Sequence, residues 1–411
     1  MATPPNSLAR RITDFLAIRR STVGILGMVI LILLGERMAE RFLPIYLIAL
    51  GGSALSIGLL NGMDNFLSAV YSFIGGYLAD RFGTRRSLLF FNISAMFGFC
   101  IVIFVPTWQA VLAGAVFFLS WSAISLPATM KLITGVLPMK KRTMGVSMLA
   151  LVRRIPMALG PLLGGVCIGI WGEKNGVRAA FGVALVLAVI ATVMQHFLVE
   201  GNGAGSHPQG ERRTAEKNPL RLLHHMNRDL RQLLISDILI RYCEQIPYAF
   251  VVVWCMKTIE QPVSAVEFGL LTTIEMITAL LVYIPVAYLA DRGGKKPFVL
   301  ATFVFFTLFP LALFFCRSFP LLVAAFILRG FKEFGEPTRK TLIMELAPRE
   351  RKAAVFGLYY MLRDIVVSFA AFGGAFLWMI SPAVNFFAAF GFGLLGTIGY
   401  ALWGRDVAPG A

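Results

Sequence analysis

Histidine and cysteine are scarce in this chain, four and five residues in 411, and no two cysteines form a C-x-x-C pair. Cys100, Cys167, Cys243, Cys255 and Cys316 are scattered through apolar segments, an odd and unpatterned set that argues against a disulfide framework or a metal site. His207, His224 and His225 fall in a polar stretch and His196 ends an apolar run, so no intramembrane histidine cluster suggests catalysis. A P-loop and a nucleophile elbow are missing as well, which speaks against ATP-driven pumping and against a membrane hydrolase. The chain reads as no enzyme, with no cofactor and no metal. Charge is also thin, 15% of residues, where a soluble domain has about 25%.

What fills the space is apolar. Hydrophobic residues make up 57% of the chain and the mean hydropathy is +0.75. Runs near the ~20 residues needed to cross a bilayer recur along its whole length. The first run follows Arg10, Arg11, Arg19 and Arg20 but continues into GERMAER without a small-residue cleavage site, so it reads as a retained span. Breakers delimit twelve spans, near 22–48, 54–79, 87–105, 108–137, 143–171 and 179–199, then 232–256, 265–290, 297–315, 319–346, 353–379 and 383–404. The fold class is an all-α polytopic membrane protein. Its expected organisation is a tail at 1–21, a six-helix bundle at 22–199, a Gly-, Pro- and charge-rich linker at 200–231, a second bundle at 232–404 and a tail at 405–411.

A formal net charge of +16 could suggest nucleic acid, but its placement says otherwise. Most of the 38 Lys and Arg lie in the N-terminal tail, the even-numbered loops and the linker, and only Lys174, Arg178, Lys257 and Arg317 occupy the opposite loops. By the positive-inside rule both termini and the linker are cytoplasmic, in an inner or plasma membrane. The basic charge sets topology, and no nucleic-acid partner is implied.

The chain writes one basic turn twice. GYLADRFGTRRS, Gly76 to Ser87, returns as AYLADRGGKKP, Ala287 to Pro297, 211 positions later. Ser53–Arg86 aligned without gaps on Ser264–Pro297 gives 11 identities in 34 positions, and Asp64 falls opposite Glu275. R-x-x-E also occurs twice, as Arg37/Glu40 and Arg241/Glu244, each followed by a proline, Pro44 or Pro247. Weak internal symmetry between two six-span halves is a transporter signature. The turn is written twice because the protein is two copies of one bundle.

GYLADRFGTRR resembles the loop-2–3 motif of the major facilitator superfamily, with Thr84 standing where a basic residue is usual. The resemblance covers the whole chain, six spans plus six with a basic middle loop. It implies alternating access, a monomer, and a cytoplasmic gate formed by Asp80 with Arg81, Arg85 and Arg86, with Asp291 and Arg292 in the second copy. It also implies that spans 1, 4, 7 and 10 line the cavity, that 2, 5, 8 and 11 support and gate it, and that 3, 6, 9 and 12 are peripheral.

Buried charge follows the same division independently. Spans 1, 2, 4, 5, 7, 8, 10 and 11 carry acids and bases, whereas spans 3, 6, 9 and 12 carry none. At roughly 2.5–3.5 kcal/mol for each mid-bilayer charge, exposing some twenty of them to lipid would cost about 50–70 kcal/mol, far beyond the ~5–15 kcal/mol stability of a fold. The charged spans must face a polar interior. Helical spacing expects the pairs Arg37/Glu40, Asp237/Arg241, Arg241/Glu244, Arg329/Glu333 and Lys332/Glu336.

A carboxylate or phosphate solute needs fixed positive charge, and Arg stays ionised and binds in two places at once. Arg37 and Arg241 are expected to face each other across the cavity, with Lys131, Arg153, Lys332 and Arg363 as further binding residues. Proton coupling needs acids whose ionisation follows solvent access. Glu40, Glu244, Glu333 and Glu336 fit by placement, and Asp64 and Glu275 read as gate or support.

Two local motifs bear on direction. GPLLGG, Gly160 to Gly165, resembles the end of the superfamily's antiporter motif, with Ser147 and Pro156 in place of the upstream glycines; close packing of small residues explains it equally well. ERMAERF, Glu36 to Phe42, is similar to the E-x-x-E-R-F of proton-coupled oligopeptide transporters, its first Glu one residue too far upstream, and reads as convergence on a like charge layout. The expectation is a proton-coupled secondary transporter of a small anionic or zwitterionic solute, by antiport before symport. Lipid or multidrug export, or a transport-dead sensor, stand as alternatives on the same fold.

Overall fold

The computed structural model describes residues 20–119, 121, 124, 125, 129, 142–198, 226–348 and 352–405. Lys131 and most of the expected linker lie outside them, as do the side chains of Asp80, Asp291 and Arg292. The described residues form helices and no strand. Among them, six helices are long and apolar enough to cross a bilayer, and Arg228–Tyr248 with Val251–Thr258, bent by 41°, makes a seventh.

Capping chemistry fixes where several spans begin. Span 4 starts at Trp108 behind Thr107, which accepts from the Ala110 amide, and span 7 at Arg228 behind Asn227, which accepts from Leu230. Span 8, Ala265–Gly293, opens on a reciprocal box in which Ser264 and Glu267 bond each other's backbone amides. Span 12, Pro382–Trp403, opens behind Ser381. Each side chain satisfies an amide that has no partner inside the helix. Proline sits in the first turn of spans 9, 10 and 12, where its missing N–H costs nothing.

The duplicated turn has one geometry in both copies. Gly83 (φ 85°, ψ 147°) separates span 2, Ala54–Phe82, from span 3, Thr84–Phe104. Gly294 (φ 86°, ψ 156°), 211 positions on, leads from span 8 into span 9, Lys296–Phe315. That region of backbone space is essentially glycine's alone. Spans 5 and 6 lie within Arg142–Leu198 as two helices separated by a kink at Gly172 (φ 73°). Gly176 then lies against the Ile168 backbone, where a Cβ would stand 2.4 Å from Cα, so the chain doubles back.

Contacts divide the chain into two compact units, Met1–Leu43 with Val70–His207, and Pro44–Ala69 with Pro208–Ala411. In the first, span 1 packs on spans 5 and 6, and span 3 packs on spans 4 and 6. In the second, span 7 packs on spans 11 and 12, span 9 on spans 10 and 12, and span 8 on span 10. The early part of span 2 belongs to this second unit: a Cβ on Gly58 would meet Ala375, and one on Gly62 would meet Phe372, both of span 11. Spans 2 and 11 therefore approach closely at Gly58 and Gly62, and Gly75, further along span 2, packs on the Ile124 carbonyl.

Candidate transport site

Three of the spans expected to line a cavity are broken where their charges lie. Span 1 runs Arg20–Glu40, turns at Arg41 and Phe42, and resumes as Leu43–Ala49. Span 7 runs to Tyr248, turns, and ends in a π-helical turn, Trp254–Thr258. Pro44 and Pro247 stand at these breaks, and a ring without an N–H cannot continue the ladder. Span 10 runs Phe319–Gly330, tightens into a 3₁₀ turn at Phe331–Glu333, and resumes at Glu336–Leu346.

Both R-x-x-E units close on themselves in the same way. In the first unit Arg37 Nη1 lies 2.6 Å from Glu40 Oε2, and in the second Arg241 Nη1 lies 2.6 Å from Glu244 Oε2. Glycines of span 5 hold the first pair in place. A Cβ on Gly160 would stand 2.6 Å from Arg37 Cβ, and one on Gly164 would stand 1.9 Å from the Met38 carbonyl. Half of the GPLLGG stretch is thus a groove for span 1. Arg153, two turns before Gly160 and half-buried, stands in the field of both Glu36 and Arg37.

In the second unit the ion pairs join into one chain of alternating sign. Arg329 Nε is 3.3 Å from Glu275, which is also 3.3 Å from Lys332 Nζ. Lys332 lies 2.9 Å from Glu244, whose partner Arg241 reaches Glu336 at 3.5 Å. Glu336 takes Arg339 at 2.5 Å and Lys340 at 3.3 Å. Arg339 takes Asp237 at 2.5 Å, and Asp237 accepts from Tyr359 at 3.0 Å and pairs with Arg363 at 3.5 Å. Arg363 closes the chain on Asp364 at 2.7 Å. Asp237, Glu275 and Arg339 are 0% exposed, so the links hold in a medium where an unmatched charge would be severely destabilising.

Aromatic rings wall the chain. The Arg329 guanidinium lies over Phe309 (4.9 Å), Phe326 (5.7 Å) and Tyr248 (5.8 Å), and Arg363 over Tyr360 (4.3 Å). A small cavity between spans 7, 9 and 10 is lined by Cys243, Glu244, Val251, Phe306, Phe309, Arg329 and Lys332. Nearby, Asn65 and Asn61 of span 2 donate to the side chain and backbone of Gln245, each at 3.3 Å. Among the described residues no group of three His, Cys, Asp or Glu is placed to hold a metal ion.

Helical spacing found Arg37/Glu40 and Arg241/Glu244 but not where the other charges go. Asp237 is taken by Arg339 and Arg363, Arg329 by Glu275, and Lys332 by Glu244 and Glu275. The 3₁₀ turn and Gly335 shift the register of span 10, so Arg329 and Glu333, and Lys332 and Glu336, which straddle the break, do not pair, whereas Glu336 beyond it does pair with Arg339 and Lys340. Glu333 is half-buried at the end of that turn. Glu275, read as gate or support, links Arg329 to Lys332 in the chain. Its signal in the sequence was the repeat of an acid at 211-residue spacing.

Of the expected gate residues, exposed Arg81 donates to Tyr77 one turn back (3.0 Å), and Arg86 is exposed. Arg85 donates to the His196 carbonyl at the end of span 6 (2.6 Å). Lys296, at the equivalent position, donates to Ala401 at the end of span 12 (3.0 Å).

The Major Facilitator Superfamily profile matches residues 25–261 and 233–411, which together take in both halves. The chain belongs to the major facilitator superfamily. Its fold is the twelve-helix transporter fold of that superfamily, and it is an integral membrane protein. Among curated proteins, facilitated glucose transporter member 12 of solute carrier family 2, from Xenopus laevis, is 30% identical over 147 residues. That match covers 36% of this chain and about a quarter (23%) of the relative's length. Among solved structures, the nucleoside transporter NupG aligns at TM-score 0.79 and 14% identity over 94% of this chain and 100% of its own. The peptide transporter POT aligns at 0.76 and 14%, over 93% of each chain. The human organic anion transporter MFSD10 aligns at 0.62 and 17%, over 93% of this chain and 99% of its own. At these identities the likeness shows the fold alone.

Proposed function

We propose that this superfamily member is a secondary transporter of a small polar solute, anionic or zwitterionic, working by alternating access in the inner or plasma membrane with both termini cytoplasmic. The observation that carries the reading is the matched pair of R-x-x-E units, each at a helix break, one in each half. Each offers a fixed guanidinium to a carboxylate or phosphate and a carboxylate that can take a proton when the arginine is engaged elsewhere. Glu40 and Glu244 couple the cycle to protons, and Arg37, Arg153, Arg241, Lys332 and Arg363 present positive charge to the solute. The direction taken is exchange, with solute leaving as protons enter. The structural neighbours carry nucleosides, peptides and organic anions by their names, and they supply the solute panel for a test.

The purified protein is reconstituted into liposomes with an imposed pH gradient and offered labelled hexose, nucleoside, dipeptide and organic anions. Wild type is expected to accumulate one of them against its gradient. E40Q or E244Q is expected to exchange solute across the membrane without accumulating it. Unchanged proton-driven accumulation in both variants overturns the coupling, and no flux of any solute overturns the transporter reading.

A further inference from the structure

Span 10 is held at its break from both sides. A Cβ on Gly330 would stand 2.7 Å from the Glu275 carbonyl of span 8, and one on Gly335 would stand 2.4 Å from the Phe298 carbonyl of span 9. The Gly335 amide also donates to Thr302 of span 9 at 2.5 Å. Between these fixed points runs the 3₁₀ turn Phe331–Glu333, and Lys332 is its middle residue. From there its ammonium lies 2.9 Å from Glu244 of span 7 and 3.3 Å from Glu275 of span 8. One cation on a fixed backbone thus stands between carboxylates of two different helices.

The charges around Lys332 differ in how freely they can move. Arg329, one turn earlier, is enclosed by the rings of Phe309, Phe326 and Tyr248 and pairs with Glu275 at 3.3 Å. A planar guanidinium packed among rings keeps one orientation, whereas an ammonium is a point charge on a flexible stem and can exchange partners by rotating bonds. Glu244 lines the small cavity with Lys332, Arg329 and Cys243, and span 9 brings only Phe306 and Phe309 to it. The cavity has room for a water-sized molecule, so a proton can reach Glu244 there; Glu275 is 0% exposed and is not part of the lining. Both cations on Glu244 have a second carboxylate at hand, Glu336 at 3.5 Å from Arg241 and Glu275 at 3.3 Å from Lys332. Glu333, which ends the turn, also lies in the field of Lys332. Glu244 can therefore lose its charge without stranding a buried cation.

We infer that Lys332 is the positioning residue that carries protonation of Glu244 to span 8, its ammonium passing from Glu244 to Glu275 when Glu244 takes a proton. The proton comes from water in the cavity and forms an O–H bond on the Glu244 carboxylate, and Lys332 keeps all three of its own. Before the handover Lys332 ties the break of span 10 to span 7. After it the break is fastened to span 8 by Arg329 and Lys332 together. The inference rests on the coupling reading and deepens it, because it states how a proton on one helix of the second unit is felt by another. Glu275 becomes the receiver of the charge, a carboxylate that stays ionised in both states.

The test is an infrared pH titration of the full-length protein in detergent, with no solute added. It reads the C=O stretch of protonated Glu244, identified by its loss in E244Q. K332M leaves each carboxylate its arginine, Arg241 on Glu244 and Arg329 on Glu275. In that variant Glu244 is expected to take its proton at a pH higher by at least about one unit, tenfold in affinity, since one of its two cations is gone. In E275Q it is expected to need a pH lower by about as much, because the released ammonium has no receiver. The two changes together decide the mechanism: without Lys332, E275Q is expected to add no displacement to that of K332M, as a shared carrier requires. K340Q, at a half-exposed lysine of the same span, is expected to leave the titration unchanged. Should E275Q not fold, E275D draws the receiving carboxylate back by one methylene and is expected to act in the same direction by less. A displacement of equal size with and without Lys332 overturns the handover, leaving two carboxylates that merely share a field, and so does a Glu244 that takes no proton. The readout is independent of flux: a handover found in a protein whose E244Q variant still accumulates solute supports the inference and overturns only the coupling role given to Glu244.

Discussion

Arg85 and Lys296, equivalent residues of the two halves, each donate to a backbone carbonyl at the end of the last helix of their own half, His196 at 2.6 Å and Ala401 at 3.0 Å. The last carbonyls of a helix lack intrahelical partners and carry the negative end of its dipole, so a cation there is favourable. This explains why the position held by Arg85 in one copy of the turn is filled by Lys296 in the other. A point charge suffices at a helix end, whereas two-point recognition would demand Arg. The turn is tied to the peripheral helix of its own bundle.

Replacing either residue by glutamine is expected to cost about 1 kcal/mol of stability, the scale of one helix-end interaction. R85K and K296R are expected to be near neutral. Melting temperatures of the four variants check this; an R85K variant as unstable as R85Q would show that fork geometry matters there.

Around Arg85 the two halves solve one packing problem in opposite chemistry. Asn92 donates to Gln195 at 2.9 Å and accepts from the Trp121 indole at 3.1 Å, while Gln195 donates to the Arg85 carbonyl at 2.8 Å. At the equivalent place Phe303 and Tyr400 meet as an edge-to-face ring pair 5.2 Å apart. Asn92→Leu leaves the Trp121 N–H and one Gln195 acceptor without partners and is expected to cost about 1–3 kcal/mol for each group so left. Asn92→Leu with Gln195→Leu is expected to cost less than the sum of the two single changes, since the orphaned partner goes with it. A double-mutant cycle on unfolding stability reads the difference.

Glycines along span 5 and span 6 separate packing from propensity. Gly164→Ala would place its methyl 1.9 Å from the Met38 carbonyl, a backbone atom that cannot step aside. It is expected to destabilise by about 1–3 kcal/mol, as overpacking does, and to weaken solute binding by moving Arg37. Gly182→Ala, also helical, meets nothing within 4 Å and is expected to stabilise by about 0.5–1 kcal/mol. Opposite signs in thermal unfolding check both.

In the ion-pair chain, position decides magnitude. Arg339→Met strips a fully buried cation from both Asp237 and Glu336 and is expected to cost about 3–5 kcal/mol. Lys340→Gln removes a half-exposed partner of the same Glu336 and is expected to stay within about 1 kcal/mol. Equal effects would mean that the chain is not the low-dielectric network its burial indicates.

Much of the architecture was legible because bilayers impose length and duplication leaves copies. The turn glycines Gly83 and Gly294, the R-x-x-E pairs and the charge-free peripheral spans all stand in the sequence as written. Helical spacing failed in span 10, where the 3₁₀ turn at Phe331–Glu333 re-aims Arg329 and Lys332 toward Glu275 and Glu244. A local break of that kind follows from tertiary packing, which spacing does not encode. Asp237 shows the same limit: three residues of spans 10 and 11 converge on it, and none is its helical neighbour in sequence.

Span 10 packs Arg329, Lys332, Glu333, Glu336, Arg339 and Lys340 into a stretch of a dozen residues. A segment so charged does not partition into lipid unaided as it leaves the ribosome. Its counter-ions are already in place by then, since Asp237 and Glu244 of span 7 and Glu275 of span 8 are synthesised first, and Arg363 of span 11 arrives last. Integration is thus expected to proceed by pairing, with span 10 waiting beside spans 7 and 8 rather than entering the bilayer alone. A nascent chain stopped after span 9 would hold three carboxylates, Asp237, Glu244 and Glu275, with Arg241 the one base among them on spans 7 and 8.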